Sequence, residues 1–474
     1  MSFAKLASAL AVLAVYPHDF PSLTSDPCLA DNFYGTYGGQ SVFVAPHACF
    51  TGFATPVSGA FAPAEYPAAN GTELVWVEQV ALDASLQSQS PSFSPENISG
   101  YLSDLFASTS EVSLEGAQQA LSLSAPTYAV LHHTATSVLL ALPTPHAHRL
   151  SLVLPPTWKV YALPDAPLPI VPVEEPAIER VREILAALKF DPLVAKVVAN
   201  ISLAQIRNDI RWLTGEDGKS GIESRHSFSS GALTAADWLK VRFEETGAAC
   251  ELRPFLSGFA PNVICRYPST VNTTATVLIS SHYDSRGSFG STRAPGGDDD
   301  GSGTTGILAI ARTIKRLGLT FRSNVEIVAF AGEEQGLYGS RYYAQDLRKE
   351  DKNLTLMIQA DMTAYHEPGE PPQLGLPDLI GTPEVHQLVA NISAIYSPEL
   401  KVGLTPACCS DHQSFHSQGF PASQVFERAG PIADPMYHNS GDLSSREGYD
   451  VEQLKSIAKV QFAVVLHTAG FDLP

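Results

Sequence analysis

The chain has 474 residues, of which 44% are apolar, and it carries a formal net charge of −19 at pH 7. This length exceeds one ordinary domain, and this apolar content is typical of a folded protein and excludes a disordered one. Because the excess negative charge repels phosphate backbones and anionic lipid, we expect no nucleic-acid partner and no membrane partner.

The first residues have the pattern of a secretory signal. Lys5 is followed by a Leu/Ala/Val-rich run that ends at the small-residue site Val12-Leu13-Ala14. Six of the 11 asparagines begin an Asn-x-Ser/Thr acceptor for glycosylation, namely Asn70, Asn97, Asn200, Asn272, Asn353 and Asn391. We therefore predict a signal peptide at residues 1–15 and a secreted, extracellular glycoprotein. The alternative for the apolar run is a helix of the first domain.

The composition changes near residue 175. Residues 1–175 contain 3 of the 30 Lys and Arg residues but 18 of the 35 prolines. The Pro-rich stretch 163–176 is typical of a semi-rigid, extended linker. The sequence therefore predicts one domain at residues 16–175, ending in this linker, and a second domain at residues 176–474.

The pattern in the first domain favours β-structure. Three stretches, 72–81, 127–142 and 150–154, are rich in apolar and β-branched residues and are separated by Pro, Gly and Ser. We predict a smaller, β-rich N-terminal domain. Two roles stay open for it: an inhibitory or folding-assisting pro-domain, and a permanent accessory domain.

From residue 176 onward, helical and strand patterns alternate. Helical periodicity marks residues 177–198, 203–213, 233–245, 303–317 and 338–347. Short apolar runs at 262–266, 275–280, 324–329 and 354–359 are typical of buried strands. Strands that alternate with helices predict an α/β domain with a largely parallel sheet.

The six cysteines form three pairs that are close in sequence. These are Cys28 with Cys49, Cys250 with Cys265, and the adjacent Cys408 and Cys409. An oxidising compartment favours bridges in the first two pairs. Six cysteines permit 15 pairings, and free buried thiols are the alternative.

Polar clusters follow the predicted strands or lie in later loops. They are His282-Tyr283-Asp284, Asp298-Asp299-Asp300, Glu333-Glu334, Asp361 and Tyr437-His438. Each alone is ordinary, since an Asp run before a helix is a common N-cap and paired Glu is common on solvated faces. At one edge of a sheet, however, these carboxylates would repel each other unless cations were present. Histidines with carboxylates suit two divalent ions such as zinc, and a carboxylate beside a ligand can accept the proton of a metal-bound water.

Six motifs carry a resemblance to a known family. In chain order they are HYDS, GGDDDGSG, EEQGLYGS, QADM, CSDH and YHNSGD. Over roughly residues 200–474 the chain resembles the M28 family of co-catalytic zinc peptidases, in particular the secreted leucine aminopeptidases of fungal type. The resemblance implies a mixed sheet flanked by helices and two zinc ions per chain. It also implies ligands by position: His282 and Asp361 for one zinc, Glu334 and His438 for the other, and Asp299 as the bridge.

The resemblance implies further roles. Glu333 falls on the general base, Asp284 on the carboxylate that orients the ligand imidazole, and Tyr437 on a tyrosine that in some members hydrogen-bonds the oxyanion. Asp411 and His412 of the CSDH motif fall on a segment that shapes the pocket and does not bind metal. The adjacency of Cys408 and Cys409 departs from the family, whose bridge in this region joins separated cysteines.

The function implied by the resemblance is a hydrolase, a zinc aminopeptidase that removes N-terminal residues from peptides and proteins through a metal-bridging hydroxide. We expect a monomer. A carboxypeptidase and a glutaminyl cyclase on the same fold are the alternatives among enzymes, and a non-catalytic binding protein is the alternative outside them. Met362, Phe415, Phe420 and Phe426 favour an apolar pocket with a preference for Leu, Phe or Met, although core packing is the other interpretation of these residues.

Overall fold

The computed structural model describes residues 11–17, 26–50, 60–64, 71–87, 128–169, 171–288, 291–407 and 409–474. The chain divides into two compact units. The first consists of Met1–Gln79, Ser90–Leu154 and Trp158–Ile170, and the second of Val80–Gln89, Pro155–Thr157 and Val171–Pro474. The division at residue 170 lies inside the Pro-rich stretch 163–176, and two short segments that precede this stretch belong to the second unit. The role of residues 16–175 stays a prediction.

In its described residues, the first unit consists of two four-stranded antiparallel sheets, in the orders β2-β3-β1-β4 and β6-β7-β5-β8. The strands are β1 (Ala11–Pro17), β2 (Phe33–Tyr37), β3 (Gln40–Pro46), β4 (Ala60–Ala64), β5 (Thr72–Gln79), β6 (Ala129–His133), β7 (Ser137–Pro143) and β8 (Trp158–Ala162). Short helical turns lie at Pro27–Ala30, His47–Phe50, Thr144–Ala147 and Leu150–Leu152. A β-rich N-terminal region is therefore present, as predicted.

Strand β1 is built from the apolar run that resembles a signal peptide. It pairs with β3 on one side and with β4 on the other. Leu13, Ala14, Val15 and Tyr16 are buried. Cleavage within residues 12–15 would therefore remove part of an interior strand, and the signal peptide stays a prediction.

Two of the predicted strands of this unit differ from the structure. The run 127–142 is divided into β6 and β7 by a tight turn, in which the Thr134 N–H donates to the Ser137 carbonyl over 2.8 Å. The prediction of a strand at 150–154 is wrong, because Leu150–Leu152 is a 3₁₀ turn. Leu150 and Leu154 are both buried in the core, and a helical turn brings them to it without a strand partner.

The second unit is an α/β domain with a mixed six-stranded sheet in the order β17-β14-β11-β13-β10-β9. Its strands are β9 (Ala249–Arg253), β10 (Asn262–Tyr267), β11 (Thr276–His282), β12 (Thr320–Phe321), β13 (Asn324–Phe330), β14 (Leu354–Ala360), β15 (Gln373–Pro377), β16 (Lys401–Thr405), β17 (Ala422–Val425) and β18 (Phe471–Asp472). Its main helices are α1 (Glu175–Ala187), α2 (Pro192–Val198), α3 (Leu203–Leu213), α4 (Ser230–Glu244), α5 (Gly301–Leu317), α6 (Tyr338–Lys349), α7 (Pro383–Tyr396), α8 (His412–His416) and α9 (Val451–Ala469). A further short helix lies at Ala84–Gln87.

Helices cover both faces of this sheet. Val277 and Ile279 of β11 pack in the larger core with α1 to α5, α7 and α9, whereas Leu278 packs on the other face with α6 and α8. Four neighbouring strands, β17, β14, β11 and β13, run parallel to one another. Strand β10 is antiparallel to both of its neighbours, β13 and β9. The fold is therefore the predicted mixed, mostly parallel sheet, and the carboxyl ends of four strands meet at one edge.

The predicted helix at 177–198 is two helices. Asp191 accepts the N–H of Leu193 and caps α2, and Pro192 occupies its first turn. A proline interrupts helical hydrogen bonding but suits a first turn, so the break falls here.

Both predicted disulfides are confirmed. Cys28 is bonded to Cys49, and Cys250 is bonded to Cys265. The second bridge joins β9 to β10, where these two cysteines are directly paired. Cys408 lies outside the described residues. Among the described helices, none has the length and apolar character required to cross a bilayer.

Candidate metal centre

Each predicted ligand lies at the carboxyl end of a strand or in a loop beside it. His282 is the last residue of β11, and Asp361 directly follows β14. Asp299 lies just before α5, while Glu333 and Glu334 follow β13. His438 lies in the loop between β17 and α9. The parallel pairing of these strands brings the five ligand positions to one edge of the sheet.

Two groups of side chains in the described residues have the arrangement of a metal site. One is His282, Asp299 and Asp361, and the other is Asp299, Glu334 and His438. Within each group the ligand atoms lie within 4.8 Å of one another. His282 Nε2 lies 3.3 Å from Asp299 Oδ1 and 3.6 Å from Asp361 Oδ1. His438 Nε2 lies 3.2 Å from Asp299 Oδ2 and 3.1 Å from Glu334 Oε2, so Asp299 faces both histidines with different oxygens.

Burial makes this arrangement costly without a cation. The five side chains are at most 9% exposed, and neither carboxylate oxygen of Glu334 has a hydrogen-bond donor. Burial opposes the ionisation of Asp299, but His282 and His438 outweigh it and lower the pKa of this carboxyl. Likewise, burial opposes the protonation of His282, but Glu333 and the other carboxylates raise the pKa of its imidazole. A buried cluster that favours positive charge at both histidines fits divalent cations with imidazole and carboxylate ligands.

The imidazole of His282 is oriented by Asp284. Its Nδ1 lies 3.2 Å from the carbonyl oxygen of Asp284 and 3.6 Å from the carboxylate. A proton on Nδ1 therefore donates to this carbonyl and leaves Nε2 free for a metal. The Asp284 carboxylate in turn accepts the backbone N–H groups of Glu333 and Glu334, over 3.4 and 3.3 Å. One aspartate thus couples the position of a ligand to that of the Glu333-Glu334 pair.

The imidazole of His438 is oriented by a segment that is distant in sequence. Its Nδ1 lies 2.8 Å from the carbonyl oxygen of Pro156 and 2.9 Å from Arg286 Nη1, and Arg286 also donates to the neighbouring carbonyl of Pro155 over 2.9 Å. The ring of Tyr437 stacks on that of His438, with centroids 3.7 Å apart. These contacts at Nδ1 orient the ring so that Nε2 faces Asp299 and Glu334.

Two aspartates that the sequence analysis did not assign hold the ligand-bearing loops. Asp300 accepts the backbone N–H groups of His282 (3.1 Å), Met362 (3.2 Å) and Gly303 (2.9 Å), which joins the ends of β11 and β14 to the start of α5. Asp442 accepts the N–H of Asp299 over 3.0 Å. The N-cap pattern indicated only the Gly303 contact of Asp300. Asp442 is the last residue of the YHNSGD motif, but the motif did not indicate its contact with Asp299.

The CSDH residues lie outside both ligand groups. Asp411 accepts a hydrogen bond from Gln359 over 3.1 Å, and burial raises the pKa of its carboxyl to about 7. His412 Nε2 lies 3.2 Å from the carbonyl oxygen of Ile380, and burial lowers the pKa of its imidazole to about 3.

The four residues considered for an apolar pocket divide into two groups. Phe415 and Phe420 belong to the core between the sheet and α6, so they do not line a pocket at the metal centre. Met362 and Phe426 belong instead to a separate apolar cluster that also contains Tyr437. Two members of this cluster are next in sequence to the ligand positions Asp361 and His438.

Two buried histidine-carboxylate groups at the edge of a mixed α/β sheet have the donor atoms and spacing that a metal-dependent α/β enzyme requires. Residues 262–465 match the family model described as Peptidase family M28. The matched residues contain all five ligand positions, and this similarity indicates an enzyme of the metallopeptidase class.

Relatives with curated names are similar to the same part of the chain. A leucine aminopeptidase 1 from Trichoderma harzianum is 31% identical over 225 residues, which cover 44% of this chain and 55% of that protein. A leucine aminopeptidase 1 from Grosmannia clavigera is 27% identical over 304 residues, which cover 60% and 72% of the two chains. The chain therefore spans between about half and three quarters of the length of these relatives.

Solved structures share the fold. The LapA aminopeptidase of Legionella pneumophila has a TM-score of 0.58 at 16% identity, over 85% of this chain and 99% of its own. LapB from the same organism has a TM-score of 0.58 at 16% identity, over 84% and 100%.

Proposed function

We propose that the chain is a di-zinc exopeptidase that removes N-terminal residues from peptides. The observation that carries the proposal is the pair of buried ligand groups that share Asp299. The names of the fungal relatives, which are leucine aminopeptidases, support the same reaction.

We assign His282 and Asp361 to one cation, Glu334 and His438 to the other, and Asp299 to both. Two zinc ions in these positions would polarise the scissile carbonyl and make an attacking water more acidic. The chemistry of the donor set, imidazole and carboxylate, suits zinc.

We assign the proton transfers to Glu333. Its carboxylate is 1% exposed and lies 4.0 Å from His282 Nε2, beside both ligand groups. A buried carboxylate that is not needed as a ligand can accept a proton from the attacking water and deliver it to the leaving amine. Asp284 keeps Glu333 and His282 in fixed relative positions, and a hydrogen bond from Tyr437 to the developing oxyanion is the role we infer for its phenol.

We also propose that the protein is secreted and acts as an extracellular monomer. The disulfides Cys28–Cys49 and Cys250–Cys265 support an oxidising compartment. The exposed side chain of Asn272, in one of the acceptor sequences, is accessible to glycosylation.

The test compares three substrates with the zinc-loaded protein. Hydrolysis of an unblocked leucyl peptide, with little hydrolysis of the N-acetylated peptide, supports an aminopeptidase. Release of the C-terminal residue from the acetylated peptide would indicate a carboxypeptidase, and cyclisation of an N-terminal Gln peptide would indicate a glutaminyl cyclase. Two zinc ions per chain in elemental analysis are expected, and full activity with one would contradict the bridging role of Asp299.

A further inference from the structure

The apolar cluster beside the metal centre includes a residue from far upstream in the chain. Its buried members are Leu82, Met362, Phe426, Ile432 and Tyr437. Leu82 is 5% exposed, and the other four are between 2% and 7% exposed. Met362 directly follows the ligand position Asp361, and the ring of Tyr437 stacks on that of His438, so Leu82 packs in a cluster that adjoins the metal centre through Tyr437 and is linked to it in sequence through Met362.

The main chain around Leu82 is held in the manner of a bound peptide. The Ile432 N–H donates to the carbonyl of Ala81 over 2.9 Å, and the Asp83 N–H donates to the carbonyl of Ile432 over 2.8 Å. Leu82 and Ile432 thereby form an isolated parallel β-bridge. Extended peptides often bind proteins by such strand addition, in which the main chain gives affinity and one side chain enters a pocket.

One ion pair anchors the segment. Arg428 Nη1 lies 3.1 Å from Asp83 Oδ2. The same guanidinium donates two hydrogen bonds to Glu370, over 2.9 and 2.6 Å, and one to the carbonyl of Pro431 over 2.8 Å. Withdrawal of Asp83 would therefore leave Arg428 paired with Glu370, so the segment can leave without stranding a charge.

Resting on the proposed function, we propose that Leu82 occupies the pocket for the aliphatic side chain of the substrate's N-terminal residue. Residues 80–87 then inhibit the enzyme, and substrate enters when this segment withdraws. The burial of all five cluster members carries the proposal, because at most 7% of any of these residues is exposed to a substrate while Leu82 is in place. The other role for Leu82 is a permanent wall of the pocket, and the two roles predict opposite effects of its removal.

The activity test uses full-length, zinc-loaded protein and leucyl p-nitroanilide. Because a pocket that is open only for a fraction of the time lowers apparent affinity by that fraction, Leu82→Ala should raise kcat/KM at least about tenfold. Asp83→Asn weakens the ion pair with Arg428 but keeps the leucine, and it should also raise kcat/KM. If Leu82→Ala does not fold, the result for Asp83→Asn tests the inference. Leu150→Ala, at a fully buried leucine in the core of the first unit, is the control for a cavity and should not raise it.

A second measurement does not depend on turnover. Hydrogen exchange in the peptide that covers residues 80–87 should increase when L-leucine is added to wild-type protein, since the amino acid competes with Leu82 and releases the Asp83 N–H. Activity equal to or below wild type in both variants, without a change in exchange, would overturn the inference and leave the proposed function intact. If the wild type and all variants are inactive on leucyl substrates, the proposed function fails. The hydrogen-exchange result then tests the inference by itself: an increase in exchange at residues 80–87 supports the pocket role of Leu82, and no increase overturns it.

Discussion

Glu333 and Glu334 are adjacent in sequence, and both have their backbone N–H held by Asp284, yet their carboxylates meet different partners. Glu334 lies 3.1 Å from His438 Nε2 with no hydrogen-bond donor, whereas Glu333 lies 4.0 Å from His282 Nε2. This difference favours a ligand role for Glu334 and a proton-transfer role for Glu333.

We predict that Glu333→Gln lowers kcat by about 10²- to 10⁴-fold, the range for loss of a positioned general base, while zinc content is retained. Glu334→Gln should instead lower zinc occupancy. Steady-state kinetics and elemental analysis on the same preparations measure both effects. The reverse pattern would mean that the two roles are exchanged.

A second residue prediction concerns Asp300. Because its carboxylate accepts the N–H groups of His282 and Met362 as well as that of Gly303, Asp300→Ala should loosen the strand ends that carry His282 and Asp361. We expect weaker zinc binding, measured by competition with a chromophoric chelator.

The control is Asp191→Ala, since Asp191 caps α2 by accepting the N–H of Leu193. Loss of that cap should cost about 1 kcal/mol of stability and leave zinc affinity unchanged. Equal zinc affinity in the two variants would show that Asp300 acts only as a helix cap and does not hold the zinc ligands in place.

Sequence patterns predicted the ligand residues more completely than the residues that support them. Side-chain chemistry indicates the polar clusters, and the resemblance of the ordered motifs to the M28 family selects His282, Asp299, Glu334, Asp361 and His438 within them. Asp442 acts by accepting a backbone N–H from a loop more than 140 residues earlier. A contact between a side chain and a remote backbone group has no sequence spacing, so only the folded chain reveals it.

At the scale of elements, the sequence predicted the units whose periodicity is clear. Helix α3 occurs at the predicted residues, and β10, β11, β13 and β14 differ from prediction by one or two residues at their ends. Helix α9 carries a weaker signal, since 14 of its 19 residues are buried and its charged residues Glu452, Lys455 and Lys459 mark a polar stripe only in its first half. Strand β17 has only four residues, too few for a periodic pattern.

The contact between α3 and α5 predicts a pH effect on stability. Asp209 of α3 accepts a hydrogen bond from Arg312 of α5 over 2.9 Å, but burial outweighs this attraction and raises the pKa of its carboxyl to about 6. The pKa in the unfolded chain is about 4. The folded protein therefore binds more protons between about pH 4 and 6, and its free energy of unfolding falls as the pH rises through this window.

Asp209→Asn removes the titrating group. Between about pH 4 and 7 the stability of the variant should rise relative to wild type by up to about 3 kcal/mol, since one pKa unit corresponds to about 1.4 kcal/mol. Urea unfolding of zinc-free protein, followed by far-UV circular dichroism at several pH values, measures the difference. A constant difference across this range would show that burial of the charged carboxylate has no net cost.

At the scale of the whole molecule, two segments that lie early in the sequence belong to the second compact unit. The shift in proline and charge content indicates a boundary in 163–176, and the chain divides at residue 170. Composition cannot indicate that Val80–Gln89 and Pro155–Thr157 belong to the second unit, because their membership depends on contacts such as those of Leu82 with Ile432 and of Pro156 with His438.

The last prediction concerns cleavage in this Pro-rich stretch. Segments of this composition are preferred sites of proteolytic nicking, so limited proteolysis should release a C-terminal fragment of about 300 residues. All five candidate ligands and Glu333 lie in this fragment, so we expect it to remain folded and to bind zinc. It lacks Leu82, which leaves Met362, Phe426 and Ile432 exposed, and it should bind a hydrophobic dye more strongly than the intact chain does.

The kcat/KM of this fragment for leucyl p-nitroanilide should exceed that of the intact chain if residues 80–87 are inhibitory, and should equal it if the N-terminal part is an accessory domain. A purified fragment that loses zinc or aggregates would instead show that the N-terminal part, including the Pro156 carbonyl that orients His438, is required for the catalytic fold.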